Sequence, residues 1–437
     1  MINNKQIDFA SYQQSTDPVS LNLTQRLLVN ATRLFKANTT AYKLDYFEKM
    51  LNYLRAIGLY VFANNRDIEL KNPGIQKMAA VDYKDRISTS LAEFLIHFGI
   101  LSFPGNKMEI NKDYYSLLEN DRIGKLIRND GTLSNKSLNR KEKRLINDFR
   151  FVRDLVQKYN NPGYNFQSIT GKENEIWESL IAERKLDYEV RLSETLYHLV
   201  DLRIPQKIES PFDEAYYTES GQNAFQNFTQ FRFLDYLRNI TKGSSAINLF
   251  DLGCGYGNYL EVVQQNFPEA FITGIEKNPK VFADTNDKFA NAENVEIIND
   301  DFFQYEPGRK YDVVLMNYVL FYFNFTDKKK IIDKAKSMLA EGGSIVLCQY
   351  YSGIESLKRE LAKSQNDDST AKKIEMYYSD KILYANTLWN DAVDTFAEAV
   401  KWNEFKTIVS EADLYIASMT NADPFYYSLF VELKHQL

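Results

Sequence analysis

The sequence predicts an α/β protein in which a mainly helical region precedes a parallel sheet covered by helices. Through the first two hundred residues apolar side chains recur at helical spacing, as they do from Leu21 to Phe35,. From about residue 245 short apolar runs alternate with helix-length segments, which is the pattern of βαβ units. A chain of 437 residues is long enough for two domains,, and this change of period places them at 1–204 and 205–437.

The first domain is predicted to contain a winged-helix-like arrangement at about 44–118. A helix predicted near 87–98 ends at Gly99, and the turn-forming cluster 103–106 then separates two short apolar runs. Helices followed by such a hairpin are typical of winged helices. Further along, the basic run 140–144 lies inside a predicted helix. It forms either a nucleic-acid contact or a solvated helix face, and the second role is the commoner one.

The second domain is predicted to contain five short apolar strands, at 246–252, 271–276, 295–298, 311–316 and 344–348. Helices are predicted between most of them, at 259–266, 281–290 and 328–339. The last two apolar runs, 415–419 and 425–433, have no long crossover between them. They therefore predict an antiparallel hairpin at the edge of the sheet.

Composition excludes several classes of protein. Hydrophobic residues make up 44% and charged residues 26% of the chain, as in ordinary globular proteins. The formal net charge of −6 shows that the chain as a whole is not built to coat a polyanion, so a nucleic-acid partner is not expected. Two cysteines and three histidines, far apart in sequence, supply neither a cysteine-based zinc site nor a histidine-dominated metal centre. No metal is expected.

The sequence also carries no targeting pattern. No segment approaches the roughly 20 apolar residues that cross a bilayer, and the first residues lack the charged and then apolar order of a signal peptide,. We therefore expect a cytoplasmic protein without a membrane partner.

The strongest chemical signal is a glycine-rich loop, Asp251-Leu-Gly-Cys-Gly-Tyr-Gly-Asn258, which leaves a predicted strand and enters a helix. Glycines allow a tight turn and a close approach of the backbone to a ligand. A dinucleotide site requires G-x-G-x-x-G, whereas this loop has G-x-G-x-G with Asn258 at the position of the third glycine. A carboxylate at Asp251 would repel a pyrophosphate but attract an amino group. Both features favour S-adenosylmethionine over a nicotinamide dinucleotide.

Residues 251–258 resemble the first motif of class I S-adenosylmethionine-dependent methyltransferases, and later residues match that family in order. The resemblance covers about 215–437 and implies a Rossmann-like seven-stranded methyltransferase sheet. It implies that Glu276 binds the ribose hydroxyls, that Asp301 accepts from the adenine amino group, with Asp300 as the alternative, and that Phe302 packs on the adenine ring. The cofactor-binding residues it implies are Asp251, Gly253, Gly255, Gly257, Glu276, Asp301, Phe302 and Asn317.

The order of the two halves is similar to that of two-domain small-molecule O- and C-methyltransferases. In those enzymes the helical N-terminal domain supplies dimer contacts and one wall of the substrate pocket. The resemblance therefore implies a homodimer formed through 1–204, with that domain capping the pocket. It also implies a small-molecule methyl acceptor.

The catalytic residue is left unassigned by the sequence. O-methyltransferases of this type commonly place a histidine after the fourth strand, but 317–324 (NYVLFYFN) contains none. This leaves an acceptor that is already acidic, such as an α-keto acid methylated on carbon, an amine, or a base supplied from elsewhere. Tyr318, Tyr322 and Tyr350 are candidates for the substrate pocket, and His198 for a residue that folds over it, although packing is the commoner role of such residues.

The leading hypothesis is an S-adenosylmethionine-dependent methyltransferase that methylates carbon or oxygen of a small metabolite, for example an α-keto acid or a natural-product precursor. Two alternatives stay open. One is a winged-helix regulator that binds nucleic acid and carries a degenerate cofactor domain. The other is a small-molecule N-methyltransferase.

Overall fold

Helices form the first part of the chain in the computed structural model, which describes residues 20–35, 39–66, 68–70, 83–104, 107–128, 138–184, 186–201 and 206–436. The helices before the main sheet are α1 (Leu23–Phe35), α2 (Thr39–Asn64), α3 (Tyr83–His97), α4 (Tyr115–Leu118), α5 (Arg122–Ile127), α6 (Arg140–Asn160), α7 (Lys172–Ala182), α8 (Asp187–Tyr197), α9 (Glu214–Ala224) and α10 (Gln230–Ile240). A two-residue hairpin, β1 (Leu101–Ser102) with β2 (Glu109–Ile110), follows α3.

The second part of the chain builds one sheet of seven strands with helices between them. Its strands are β3 (Asn248–Leu252), β4 (Phe271–Ile275), β5 (Val295–Ile298), β6 (Tyr311–Asn317), β7 (Leu339–Gln349), β8 (Leu414–Asn421) and β9 (Leu429–His435). The helices are α11 (Asn258–Asn266), α12 (Pro279–Lys288), α13 (Phe325–Met338), α14 (Glu355–Ser364), α15 (Thr370–Ala392) and α16 (Trp402–Glu411).

The strand order is β5-β4-β3-β6-β7-β9-β8. The five strands from β5 to β7 are parallel, and β9 pairs antiparallel with both β7 and the edge strand β8. The predicted Rossmann-like seven-stranded sheet and its edge hairpin are therefore confirmed. Order reverses between β3 and β6, and open α/β sheets bind ligands at the carboxyl ends of the strands where this happens.

The predicted strands and helices agree with the structure to within a few residues, with one larger difference. The sequence predicts a strand at 344–348, but β7 already begins at Leu339 and includes the segment 341–343 (EGG). The pairing of β7 with β6 shifts register between Tyr311 and Val313. A side chain at Gly343 would lie 2.9 Å from the Tyr311 carbonyl oxygen, which explains why glycine suits this irregular pairing.

The helical region contains the hairpin that the sequence predicts, although residues 105–106 at its turn lie outside the described residues. The winged-helix identity of 44–118 stays a prediction. The basic run begins α6, where Asn139 and Glu142 form a capping box. Lys141 pairs with Asp113, and Arg144 lies 3.4 Å from Glu48, so part of this charge is already neutralised at the surface. None of the described helices is long and apolar enough to cross a membrane.

One apolar core joins the helices to the sheet. A single buried cluster includes Tyr46 and Leu54 of α2, Phe94 of α3, and Val314 of β6. The long helix α15 contacts α2, α3 and α8, although it follows β7 in the chain. The division at 204/205 remains a proposal, since residues 202–205 lie outside the described residues.

A buried arginine also holds the helical region to the second half of the chain. Arg86 of α3 is only 5% exposed, and its guanidinium lies 2.7 Å from Glu398, 2.9 Å from Glu404 and 3.9 Å from Asp391. These acids belong to α15, α16 and the segment between them. Because the charges are out of water, removing the cation would leave Glu398 and Glu404 without their nearest cationic partner,.

We expect Arg86→Leu to lower the free energy of unfolding by roughly 3–5 kcal/mol, the usual effect of breaking a buried ion pair. Urea unfolding at pH 7 measures it. Lys329→Leu is the matched control, because Lys329 pairs with Glu411 at the surface, with both side chains at least 40% exposed, and should cost less than about 1 kcal/mol. Equal effects of the two substitutions would contradict this account.

Candidate functional site

The glycine loop connects β3 to α11 at the carboxyl edge of the sheet. Gly253, Gly255 and Gly257 all have positive φ, between 52° and 68°. A side chain on Gly255 would meet nothing within 4 Å, so open space lies beside the backbone there. A side chain on Gly257 would approach the Phe289 ring to 2.5 Å. The loop therefore requires glycine for two reasons: its backbone conformation and its close packing against α12.

Asp251 ends its strand beneath this loop and is buried, with 1% exposure. Its Oδ2 atom has no hydrogen-bond partner among the described residues. Burial, and then the charge of Glu276, raise the pKa of Asp251 well above its ordinary value. A buried carboxyl without a full set of partners is costly, and a cationic ligand group would satisfy it.

Glu276 follows β4 directly and faces the same loop. Its Oε2 accepts a hydrogen bond from the Gly255 backbone N–H at 3.1 Å, and its Oε1 accepts from the Asn278 N–H at 2.8 Å. The parallel pairing of Leu252 with Ile275 brings the ends of β3 and β4 together. Glu276 thus fixes the shape of the glycine loop while it lines the adjoining cavity.

The acidic pair after β5 lies at the same edge. Asp301 accepts from the Phe303 N–H and pairs with Lys277 at 2.8 Å; this pairing, with the backbone hydrogen bond, lowers the pKa of Asp301. Asp300 accepts from the Asp301 N–H at 2.7 Å. Phe302 is buried against Phe250, with ring centroids 5.9 Å apart. Asp300, Asp301 and Phe302 all line the cavity, so both acids remain candidates for the adenine amino group.

Asn317 ends β6 opposite Cys348 of β7. Both polar atoms of its amide are buried, and neither has a hydrogen-bond partner within the described part of the chain. Buried amides are normally satisfied. Asn317 lines the cavity, so its free donor and acceptor are available to a bound molecule.

This edge of the sheet fits S-adenosylmethionine. The unpartnered oxygen of Asp251 suits an ammonium group, and the open space at Gly255 lets a ligand lie against the backbone. Glu276 presents a carboxylate for hydroxyl groups, and the buried Phe302 offers an apolar surface. Every residue that the sequence predicts for the cofactor lines this one cavity except Gly257, which packs behind it.

The cavity extends far beyond the cofactor-binding edge, with a volume of about 1600 Å³; ligand pockets usually measure about 300–1000 Å³. Its other walls come from α2, α8, α9, α15 and the β8–β9 loop. Tyr318, Tyr322 and Tyr350 all line it. The Tyr318 hydroxyl donates to Ser428 at 2.8 Å, and Tyr322 is 45% exposed.

The structure adds lining residues that no sequence pattern indicated. Asn386 and Asn390 lie one turn apart on α15, and Phe396 and Tyr427 come from later segments. These four residues belong to no recognisable sequence motif. They line the cavity only because α15 packs against the helical region. This part of the cavity wall, made of amides and aromatic rings, is visible only after folding.

Neither His198 nor His97 lines the cavity in the described part of the chain. His198 packs edge-on against Phe212, with ring centroids 4.9 Å apart, and does not line the cavity in the described structure. His97 is buried and stacks on Tyr384, and burial lowers the pKa of His97 well below its ordinary value. His97 is therefore structural.

Comparisons with known proteins agree with this geometry. Residues 243–413 match a family model described as a methyltransferase domain. Malonyl-[acyl-carrier protein] O-methyltransferase 2 of Ilyobacter polytropus is 27% identical over 129 residues, which are 30% of this chain and 49% of that protein. Trans-aconitate 2-methyltransferase of Escherichia coli is 29% identical over 119 residues, 26% of this chain and 45% of that protein. The chain thus spans about half the length of these curated relatives.

Among solved structures, an O-methyltransferase family 2 protein from Planctomyces limnophilus, in complex with apigenin, aligns over 97% of this chain and 100% of that one. The TM-score is 0.44 and the sequence identity 13%. The family model, together with the seven-stranded sheet and its glycine loop, identifies the second half of the chain as a methyltransferase domain. This chain contains a class I methyltransferase domain whose cofactor is S-adenosylmethionine.

Proposed function

We propose that the protein transfers a methyl group from S-adenosylmethionine to carbon or oxygen of a small-molecule acceptor. One observation carries this proposal. A single cavity runs from the cofactor-binding edge, at Asp251 and Glu276, to an aromatic wall around Tyr350 and Phe396. Donor and acceptor can therefore meet in one enclosed space, and the helical region closes it.

The work of the protein in this reaction is to orient the two molecules and exclude water. When bound, S-adenosylmethionine supplies an activated methyl group on a sulfonium, and the bonding electron pair stays on sulfur. Alignment of donor and nucleophile can account for roughly 7–11 kcal/mol of the barrier. The rings of Phe321, Tyr350 and Phe396 form a continuous apolar surface, with centroid distances of 5.6 Å and 5.2 Å, which disfavours bound water on this wall.

The residues near the end of β6 favour an acceptor that arrives acidic or ionised. The sequence 317–323 contains no acid, base or histidine. Nearby, the carboxylate of Asp423 accepts from the backbone N–H groups of Phe425, Tyr427 and Ser428, which makes it a loop anchor. One similar enzyme, trans-aconitate 2-methyltransferase, is named for a carboxylate. An α-keto acid or an acidic natural-product precursor is the acceptor class that these observations support.

We expect Glu276→Ala to weaken binding of S-adenosylmethionine and S-adenosylhomocysteine at least tenfold, because charged hydrogen bonds contribute roughly 1.5–3 kcal/mol each. Isothermal calorimetry with S-adenosylhomocysteine measures the affinity. Far-UV circular dichroism controls for folding, and Glu261→Ala, an exposed acid on α11 paired with Lys288, should bind normally. Unchanged affinity in a folded Glu276→Ala protein would refute the ribose assignment.

Asp251→Asn should stabilise the cofactor-free protein while it impairs binding. Folding raises the pKa of Asp251 above its ordinary value of 3.8 through burial and then Glu276. Such a group stabilises the fold when protonated, and this contribution is lost as the pH rises above 3.8,. At pH 7 we expect a gain of at least about 1 kcal/mol in unfolding free energy, a smaller gain near pH 4, and tenfold weaker S-adenosylhomocysteine binding.

Thermal unfolding of wild type and Asp251→Asn, each with and without S-adenosylhomocysteine, separates the two effects. The ligand should stabilise the wild type far more than the variant. A variant that is less stable without ligand at pH 7 would show that the Asp251 carboxylate has a structural partner in the folded protein.

We propose that the protein is a homodimer formed through its helical region. Three apolar side chains of α1 support this: Leu23, Leu27 and Leu28 are 74%, 60% and 46% exposed. Leu23 and Leu27 lie on one face of the helix. Exposed apolar surface of this kind is normally covered by a partner.

The double substitution Leu23→Glu/Leu27→Glu should convert the dimer to a monomer, because it places four charges in a twofold interface. Light scattering after size exclusion reports the mass. Phe231→Glu is the control, since Phe231 is 72% exposed on α10, outside residues 1–204. A monomeric wild type, or a dimer that survives the double substitution and is lost in the control, would contradict this interface.

We also propose a cytoplasmic location. Both cysteines, Cys254 and Cys348, are free and buried, which is the usual state of cysteines in a reducing compartment.

A further inference from the structure

Two hydrogen-bonded side-chain pairs stand side by side in the aromatic wall of the cavity. Asn390 of α15 donates its amide N–H to the Tyr350 hydroxyl, and Asn386, one turn earlier, donates to the Tyr427 hydroxyl. The Tyr350 and Tyr427 rings are 5.3 Å apart. All four residues line the cavity, and Asn390 is 97% buried, with 3% exposure.

These pairs lie next to the end of β6. Tyr350 comes directly after β7, whose Cys348 is paired with Asn317. The rings of Tyr318 and Tyr350 are 6.4 Å apart. Tyr350 is therefore near the place where the carboxyl ends of β6 and β7 meet the cofactor-binding edge.

The Tyr350 hydroxyl is suited to donate a hydrogen bond and unsuited to act as a base. Burial, followed by the neighbouring Tyr427, raises the pKa of Tyr350 well above its ordinary value, so the phenol stays protonated. Because its oxygen accepts from Asn390, its own proton is available to another acceptor, and a chain of hydrogen bonds strengthens each member. A fixed donor in a dry cavity is the arrangement that stabilises an oxyanion.

The charges around this position favour an anion over an amine. The two acids nearest this position are already compensated: Asp423 accepts from three backbone N–H groups, and Asp391 accepts from Ser90 and the Ala399 N–H. Elsewhere in the cavity wall Lys43 pairs with Glu189, and Arg191 pairs with Glu219. The wall made by 317–323 and Tyr350 is neutral. A cationic cofactor group beside a neutral wall is best balanced by a negatively charged acceptor.

We propose that Tyr350, positioned by Asn390, binds an oxygen of an anionic acceptor, a carboxylate or an enolate, beside the atom that receives the methyl group. This inference rests on the proposed methyltransferase function and narrows its acceptor class. Tyr350 is an acceptor-binding residue that leaves the nucleophile to the substrate. Asn390 is a positioning residue that acts through Tyr350.

The test uses the full chain saturated with S-adenosylhomocysteine at pH 7 and three probes: phenylpyruvate, trans-cinnamate and the amine phenethylamine. Calorimetry should show both acids binding with a dissociation constant below about 1 mM and at least tenfold more tightly than the amine. Acids that fail to bind, or an amine that binds better, would overturn the proposal. Failure of S-adenosylhomocysteine itself to bind would instead refute the proposed function.

Substitutions at Tyr350 and Asn390 then test whether this hydrogen-bonded pair is responsible for the binding of the acids. Tyr350→Phe should weaken binding of the acids about tenfold or more, the usual effect of losing a hydrogen bond to a charged group, and leave S-adenosylhomocysteine affinity unchanged. Asn390→Leu should have a smaller effect in the same direction. Combined with Tyr350→Phe it should add nothing, because it acts only through that hydroxyl.

Tyr236→Phe is the matched control. Tyr236 is also buried, and its hydroxyl bonds to Ser418 at 2.8 Å outside the cavity. The control should bind the acids as the wild type does. Unchanged acid binding in Tyr350→Phe, or additive effects of Tyr350→Phe and Asn390→Leu, would show that the pair only packs the wall.

Discussion

The crowding of two carboxylates into one poorly hydrated crevice constrains the rest of this structure. Asp251 is the penultimate residue of β3 and Glu276 directly follows β4, so the register of these neighbouring parallel strands brings the two acids together. The mutual repulsion and the burial of Asp251 oppose its ionisation. Glu276 is compensated by two backbone N–H groups, whereas Asp251 depends on a ligand. The same edge is thus stable without the cofactor and attractive to a cation.

The opposite end of the cavity has a different electrostatic character. Its wall is built largely from aromatic rings and amide–hydroxyl pairs, and its cations Lys43 and Arg191 are paired with Glu189 and Glu219. Because the two ends differ so sharply, the cavity would separate the proposed cofactor-binding edge from the proposed acceptor space. The closure of that space depends on α15, which is held to the helical region by the core and by Arg86.

The sheet and its glycine loop could be predicted because their signals are local. Apolar runs, glycine spacing and acids at strand ends are all read within a few residues, and parallel topology then brings the strand ends together. Asn386, Asn390 and Tyr427 could not be found this way. The helix that carries the two asparagines is buried on most sides, so no polar face marks its orientation. Their role depends on packing between segments far apart in the chain.

Glu276 has a structural role in addition to the ligand-binding role that the sequence predicts for it. Each carboxylate oxygen has two lone pairs, so Glu276 can keep its bonds to Gly255 and Asn278 and still accept from two ribose hydroxyls. The side chain that would recognise the ribose therefore also sets the conformation of the loop that would hold the rest of the ligand. A glutamine at this position would turn one acceptor into a donor facing a backbone N–H, so isosteric shape would not preserve the loop. The same carboxylate would bind the ribose and holds the glycine loop in shape. Both tasks need acceptor oxygens, which is why an acid is required directly after β4.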